Sequence, residues 1–272
     1  MPEVDNDGLP IGEVGEWALE KHARLRRYID ISRKAREKYT RGTGGAAYID
    51  LFSGPGRARI RGTSTITDGS PLVAFKSANE GGVRFSEIYL ADSEPGFSEA
   101  ASKRIELAGG RANFEVGEAR ETAKRIVSKL NPYGLHFAFL DPFNLEGLSF
   151  DVIQTLASVK RIDMLLHVSV QDMQRNSDRY TSEEYFAFDA FAPGWRSKVD
   201  LNQSLNAIRA AVLTHWQNLI RDLGFQDLRS VELVRGSQSQ RLYWLAFVSR
   251  HKIANDFWDK IRNISGQKEL GF

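Results

Sequence analysis

Acidic residues stand at four places where an apolar run breaks into a turn, and their placement is the chemistry-bearing pattern of this chain. The run Ala46-Ala47-Tyr48-Ile49 passes into Asp50-Leu51-Phe52-Ser53-Gly54-Pro55-Gly56. A strand that ends in a carboxylate and opens into a G-x-G turn lets backbone approach a ligand closely, because a Cβ would block it. Ile88-Tyr89-Leu90-Ala91 ends in Asp92, followed by Ser93 and Glu94. Gly117-Glu118-Ala119 and Asp141-Pro142-Phe143-Asn144 close two further strand-like runs.

In an open parallel sheet, ligands sit beyond the carboxyl ends of the strands, at the topological switch point. A carboxylate after the second strand can accept both ribose hydroxyls of an adenosine, and one after the third can take the adenine amino group. A single acid after a strand is commonly a helix cap. Four in successive βα turns favour a cofactor site. The pattern reads as a site for S-adenosylmethionine (SAM), held by Asp50, Phe52, Gly54, Gly56, Asp92 and Glu118. A dinucleotide site is the competing reading. It needs G-x-G-x-x-G, where Arg59 stands at the third glycine, and a ribose acid roughly 20 residues on, whereas Asp92 comes much later.

The Asp141-Pro142-Phe143 turn bears on the reaction. An acidic side chain and the following proline carbonyl can accept hydrogen bonds from an exocyclic amine and aim its lone pair at an electrophilic methyl group, so that catalysis is mainly positioning. Phe143 or a nearby aromatic would stack on the base. The structural alternative makes Asp141 a cap and Phe143 a core residue. Arg57, Arg59 and Arg61 alternate, which puts three guanidinium groups on one side of an extended segment. Contact with the phosphate backbone of RNA or DNA is expected there, unless acids such as Asp68 or Glu94 compensate them.

The scaffold follows from length and pattern. A chain of 272 residues, 42% apolar, suits one large α/β domain or one with an elaborated insert. Cysteine is absent, which excludes disulfides, thiolate metal sites and iron–sulfur clusters. His22, His136, His167, His215 and His251 lack metal-ligand spacing, so no metal is expected and each reads as a surface or satisfied core residue. No run approaches the roughly 20 apolar residues of a membrane span, and the acidic, polar start is no signal peptide. A cytoplasmic protein is the simplest expectation. The net charge of +2 hides 12 Lys/Arg against three acids over residues 21–61, either a solvated helix face or a patch for phosphate or an acidic partner.

Residues 1–12 read as a frayed polar start and 14–40 as one long basic helix, so 1–45 is expected to pack its helix on a core of 46–272. Strands are expected at 46–52, 87–93, 114–119, 136–140 and 163–170. Helices alternate with them, one starting with Ser70 as N-cap and Pro71 at its first position. This order predicts parallel strands with crossover helices on both faces. Residues 171–200, with Tyr180, Tyr185, Phe186, Phe188, Phe191 and Trp195, read as an inserted lid or binding segment. A helix over 201–222, a hairpin of 228–234 and 242–249 about the turn 236–240, and a helix over 253–264 complete the chain.

These residues together resemble the three-Cys-motif partner proteins, which themselves resemble class I SAM-dependent methyltransferases. The resemblance runs from Trp17 to about Trp258 and rests on Lys21…Leu25…Tyr28, Tyr48 to Gly56, Gly69-Ser70-Pro71-Leu72, Phe139-Leu140-Asp141-Pro142-Phe143, Leu242-Tyr243-Trp244-Leu245 and Phe257-Trp258. It implies a Rossmann-like seven-stranded sheet with a terminal antiparallel hairpin, SAM as cofactor, and a separate partner protein carrying a three-cysteine motif of radical-SAM character. The Gly-Ser-Pro and Asp-Pro-Phe elements are also similar to those of RNA adenine-N6 and tRNA guanine-N2 methyltransferases. Phe143 stands where those enzymes carry a second proline, and Asn144 where they carry an aromatic. Two functions follow as expectations: methyl transfer to an amino group of nucleic acid, or SAM binding by a non-catalytic partner subunit.

Overall fold

The computed structural model describes residues 3–182, 184–226, 231–235 and 241–267. The chain begins with β1 (Gly12–Val14), α1 (Trp17–Ile31), α2 (Arg33–Thr40), β2 (Ala46–Asp50), β3 (Arg57–Ile60), β4 (Ile66–Asp68) and α3 (Ser70–Glu80). It continues through β5 (Glu87–Asp92), α4 (Phe97–Leu107), β6 (Asn113–Val116), α5 (Ala119–Val127), β7 (Leu135–Leu140), α6 (Phe150–Ala157) and β8 (Ile162–Ser169). The short helices α7 (Val170–Arg175), α8 (Ser177–Thr181) and α9 (Ala187–Phe191) precede α10 (Leu205–Asp222), β9 (Val231–Arg235), β10 (Arg241–Val248) and α11 (Lys252–Gln267).

Seven strands form the main sheet in the order β6-β5-β2-β7-β8-β10-β9. The first five are parallel, and β10 runs antiparallel to both β8 and β9. This is the Rossmann-like arrangement of class I methyltransferases that the alternating pattern predicts. The turn 236–240 lies outside the described residues. Every residue of β2 is buried, as a parallel strand covered on both faces requires. One layer, built on α1, α3, α4 and α11, packs Leu25, Tyr28, Leu72, Ile105 and Trp258 on the sheet. The other, from α5, α6, α10 and the segment after β8, packs Ile126, Ile153, Phe191 and Trp216. No helix among the described residues is long and apolar enough to cross a membrane.

Register sets the height of the acidic residues. Asp50 pairs with Leu90 of β5 and Phe139 of β7, so Asp92 and Asp141 each stand two residues beyond it. The switch point falls at β2, whose neighbours are reached by α3 on one side and by the later β7 on the other.

Four expectations are corrected. The long basic helix breaks at Ser32, whose hydroxyl donates to the Ile29 carbonyl and accepts from Arg36. The segment before residue 12 is not frayed: Val4 bridges to Pro10, and β1 joins β3 and β4 in a second, three-stranded sheet. Gly69 rather than Ser70 caps α3, which leaves the Ser70 side chain inside the helix and free to face the strand ends. The aromatics of the segment expected as an inserted lid or binding segment over 171–200 are mostly core residues, with Phe188, Phe191 and Trp195 wholly buried and Tyr180 nearly so, while Phe186 stands exposed. An aromatic-rich stretch satisfies either reading from sequence, and burial against α10 decides it.

Candidate functional site

The turn after β2 is built to bring backbone close to something. Gly54 and Gly56 have positive φ values of 54° and 86°, a region L side chains avoid. At Gly56 the reason is packing, since a Cβ there would come within 3.0 Å of the Ala101 Cα on α4. At Gly54 nothing lies within 4 Å of where a Cβ would stand. Its glycine leaves open space instead of relieving a clash.

Two acidic side chains at the ends of β2 and β5, near this turn, are held by neutral donors. Asp50 is fully buried and accepts from the Tyr48 hydroxyl at 3.0 Å and the Phe52 amide at 3.2 Å. Burial pushes its carboxyl up to about 7, against the pull of hydrogen bonds from Ser70, Tyr48 and Phe52. Tyr48 and Asp50 lie two apart on one strand and so share a face. Asp92 accepts from the Gly54 amide at 2.8 Å and the Glu94 amide at 2.9 Å, one on each oxygen. Burial raises its carboxyl above the ordinary value, and those amides restrain the shift. The Ser93 amide adds a further pull, and a carboxylate's acceptor capacity still leaves room for another donor.

Asp141 is held differently. Lys21 of α1 forms an ion pair with its Oδ2, and His167 Nδ1 lies 3.4 Å from Oδ1. Burial alone would raise this carboxyl, but the Lys21 charge and hydrogen bond, joined in acid by the protonated rings of His167 and His22, hold it below the ordinary value. Burial, together with the Lys21 charge, pushes both His22 and His167 down to about 4, so both rings are neutral near pH 7. Tyr243 completes the cluster, its ring 4.5 Å from His167 and 5.7 Å below the Lys21 ammonium.

The remaining expected residues divide. Pro142 is buried, while Phe143 is 97% exposed rather than a core residue. Asn144 turns inward and caps the Gly147 amide. Glu118 is exposed at the start of α5, joined to the Asp92 end through the bond from the Gly117 amide to the Asp92 carbonyl, 3.0 Å long. Arg57, Arg59 and Arg61 are compensated, but not by Asp68 or Glu94. Arg57 pairs with Asp5 and Asp7, Arg59 with Glu3, and Arg61 with Glu13. Arg104, absent from the sequence reading, pins this acidic arm to the glycine turn by donating to the Pro55 and Pro10 carbonyls and to Asp7.

Sequence reasoning also passed over Lys21, His22, His167, Tyr48 and Ser70 as site residues. Tyr48 had a signal, the period of two within β2. His167 stands near the end of β8, next to β7, a placement readable only once the strand order is known. Lys21 comes from a helix far away in sequence. Among the described residues Nδ1 of His22 has no hydrogen-bond partner, and Nδ1 of His167 has only the 3.4 Å approach to Asp141 Oδ1, which makes no hydrogen bond, so these two histidines are not the satisfied core residues expected.

The sequence matches no family model and no curated protein. Among solved structures, the chain is similar to protein LPL1258 from Legionella pneumophila str. Philadelphia 1, of family DUF519, with a TM-score of 0.52 at 9% identity, covering 90% of this chain and 91% of that one. Cofactor-bound Rv0187 from MTB gives a TM-score of 0.46 at 15% identity over 90% and 84% of the two chains. PH1948 from Pyrococcus horikoshii, a putative RNA methyltransferase, gives 0.42 at 10% identity over 89% and 94%. At these identities the likeness concerns the fold.

Proposed function

We propose that this protein is a SAM-dependent methyltransferase acting on an amino group, with a nucleic-acid base as the target. The observation that carries the reading is the open space beside Gly54, whose amide donates to Asp92 at the switch point of the sheet. Asp92, with acceptor capacity beyond its backbone amides, would accept from the ribose hydroxyls. Asp50, near neutrality, would sit behind the glycine turn, and Phe52 and Glu118 would border the adenosine. The cofactor supplies a sulfonium-bound methyl group. This chain supplies Asp141 and the Pro142 carbonyl to orient the incoming amine, and the exposed Phe143 ring as a stacking surface.

Lys21 favours a second reading. Its ammonium already occupies the Asp141 carboxylate that a target amine would need. A SAM-binding subunit that no longer transfers methyl groups, serving a three-Cys-motif partner protein, would have no cost in that arrangement. One experiment separates the two. Calorimetry measures SAM binding, and tritiated methyl transfer is followed with mixed RNA, DNA and protein as acceptors. Transfer to nucleic acid supports the enzyme, binding without transfer to any acceptor supports the subunit, and absence of SAM binding defeats both.

A further inference from the structure

At the opposite end of the sheet, where β7 and β8 begin, the chain encloses a second cavity of about 220 Å³. Tyr28, Phe85, Phe137 and Phe257 supply aromatic walls, and Ile253, 66% exposed, stands at its rim. Such a cavity between α2 and α11 owes nothing to the glycine turn, which lies beyond the far ends of the same strands.

Its polar groups are incompletely paired. Arg36 lines the cavity and is only 3% exposed. Its Nε donates to the Val83 carbonyl at 3.0 Å and its Nη1 to the Ile29 carbonyl at 2.9 Å, while Nη2 is buried with no hydrogen-bond partner among the described residues. The guanidinium lies 4.7 Å from the Phe85 ring centre, and burial pushes it down to about 10. A buried cation without an anionic partner is costly, and a guanidinium is suited to a planar carboxylate. His136 presents the complementary need. Its Nε2 lies 2.8 Å from the Asn131 carbonyl, so the proton sits there, and the Nδ1 lone pair is buried without a donor.

The other charged groups around the cavity are Lys38 and His251, both solvent-exposed, and Asp163, which accepts from the Tyr28 hydroxyl at 2.6 Å. Burial raises the Asp163 carboxyl above its ordinary value, against the hydrogen bonds from Ser249 and Tyr28. The N-terminus of α11, at Lys252 beside the rim, adds the positive end of a helix dipole. Among the described residues the chamber holds one spare donor, Arg36 Nη2, and two spare acceptors, His136 Nδ1 and Asp163 Oδ1.

The geometry points to a second small-molecule site here, for a planar aromatic carboxylate that also carries a ring N–H or hydroxyl. The carboxylate pairs with Arg36, the ring lies among Tyr28, Phe85 and Phe137, and the ring donor serves His136. The site does not depend on SAM binding or methyl transfer.

Fluorine NMR tests it with 5-fluoroindole-3-carboxylate and its neutral carboxamide as probes on the full chain. The acid is expected to bind saturably and at least tenfold more tightly than the amide. Arg36 also ties two backbone carbonyls, so Arg36→Lys is the suitable variant: it keeps the charge, loses the fork and should weaken the acid severalfold. Ile253→Trp at the rim, checked as folded by circular dichroism, should abolish binding. Equal binding of acid and amide, no binding of either at millimolar concentration, or full binding by Ile253→Trp would each overturn the assignment.

Discussion

Asp92 and Asp141 follow strands on either side of β2, at the same height above Asp50, yet they are stabilised in opposite ways. Asp92 is restrained by backbone amides, those of Gly54 and Glu94 foremost, which carry only partial charge and leave acceptor capacity on the carboxylate. Asp141 is neutralised by a full ammonium from another helix. A carboxylate held by dipoles is ready for neutral hydroxyls. One already paired with an ammonium admits an amine only by displacing it. Under the proposed function the contrast would separate a binding end from a gated end of one site, and four measurements press on it.

The largest effect is expected from Lys21→Met. Lys21 is 8% exposed at its side chain and Asp141 18%, so removing the ammonium leaves a poorly hydrated carboxylate. Stability near pH 7 should fall by about 3 kcal/mol in urea unfolding. Adding Asp141→Asn should recover most of that loss, because the double variant no longer buries a charge. A single variant as stable as wild type would mean the pair is solvated and the gate is no gate.

Next comes Asp92→Ala. Each charge-assisted hydrogen bond lost is worth about 1.5–3 kcal/mol, so SAM affinity should drop at least tenfold while the fold survives. Asp141→Ala should leave that affinity nearly intact and reduce transfer. Calorimetry that found the reverse order would exchange the roles of the two acids.

The pH profile distinguishes the ends by sign. His22 and His167 have folded values pushed down to about 4, below the ordinary 6.5. Between those limits the unfolded chain binds more protons, so stability is lost as pH falls. Asp141, held below its ordinary value, adds a further loss in stronger acid. Asp50 acts oppositely. Its folded value of about 7 lies above the ordinary 3.8, so its contribution falls as pH rises through that window. Asp50→Asn should therefore steepen the acid loss between about pH 4 and 6.5, and His167→Gln should flatten it. Urea midpoints across pH that moved the other way in either variant would refute the assignment of these groups.

The smallest effect concerns the arginine row. Arg61 and its partner Glu13 are both well exposed, and such pairs contribute little. Arg61→Ser should leave the urea midpoint unchanged. Arg104→Met should lower it clearly, because that side chain is buried and holds the acidic arm against Pro55. Equal effects would show that the arm docks through the surface charges.

What the sequence by itself determined is the frame: parallel strands with crossover helices, the G-x-G turn after Asp50, and acids after β5, β6 and β7. Those features are local. Alternating apolar runs, a glycine where φ must be positive, and a carboxylate after a strand all lie within a few residues of one another. Tertiary structure alone decided what each acid meets. Lys21 reaches Asp141 across 120 residues of chain, Glu3 and Asp7 fold back to cover arginines that looked free, and the aromatic insert turns into core. Charge pairing and burial depend on which distant surfaces meet, and local pattern carries no record of that.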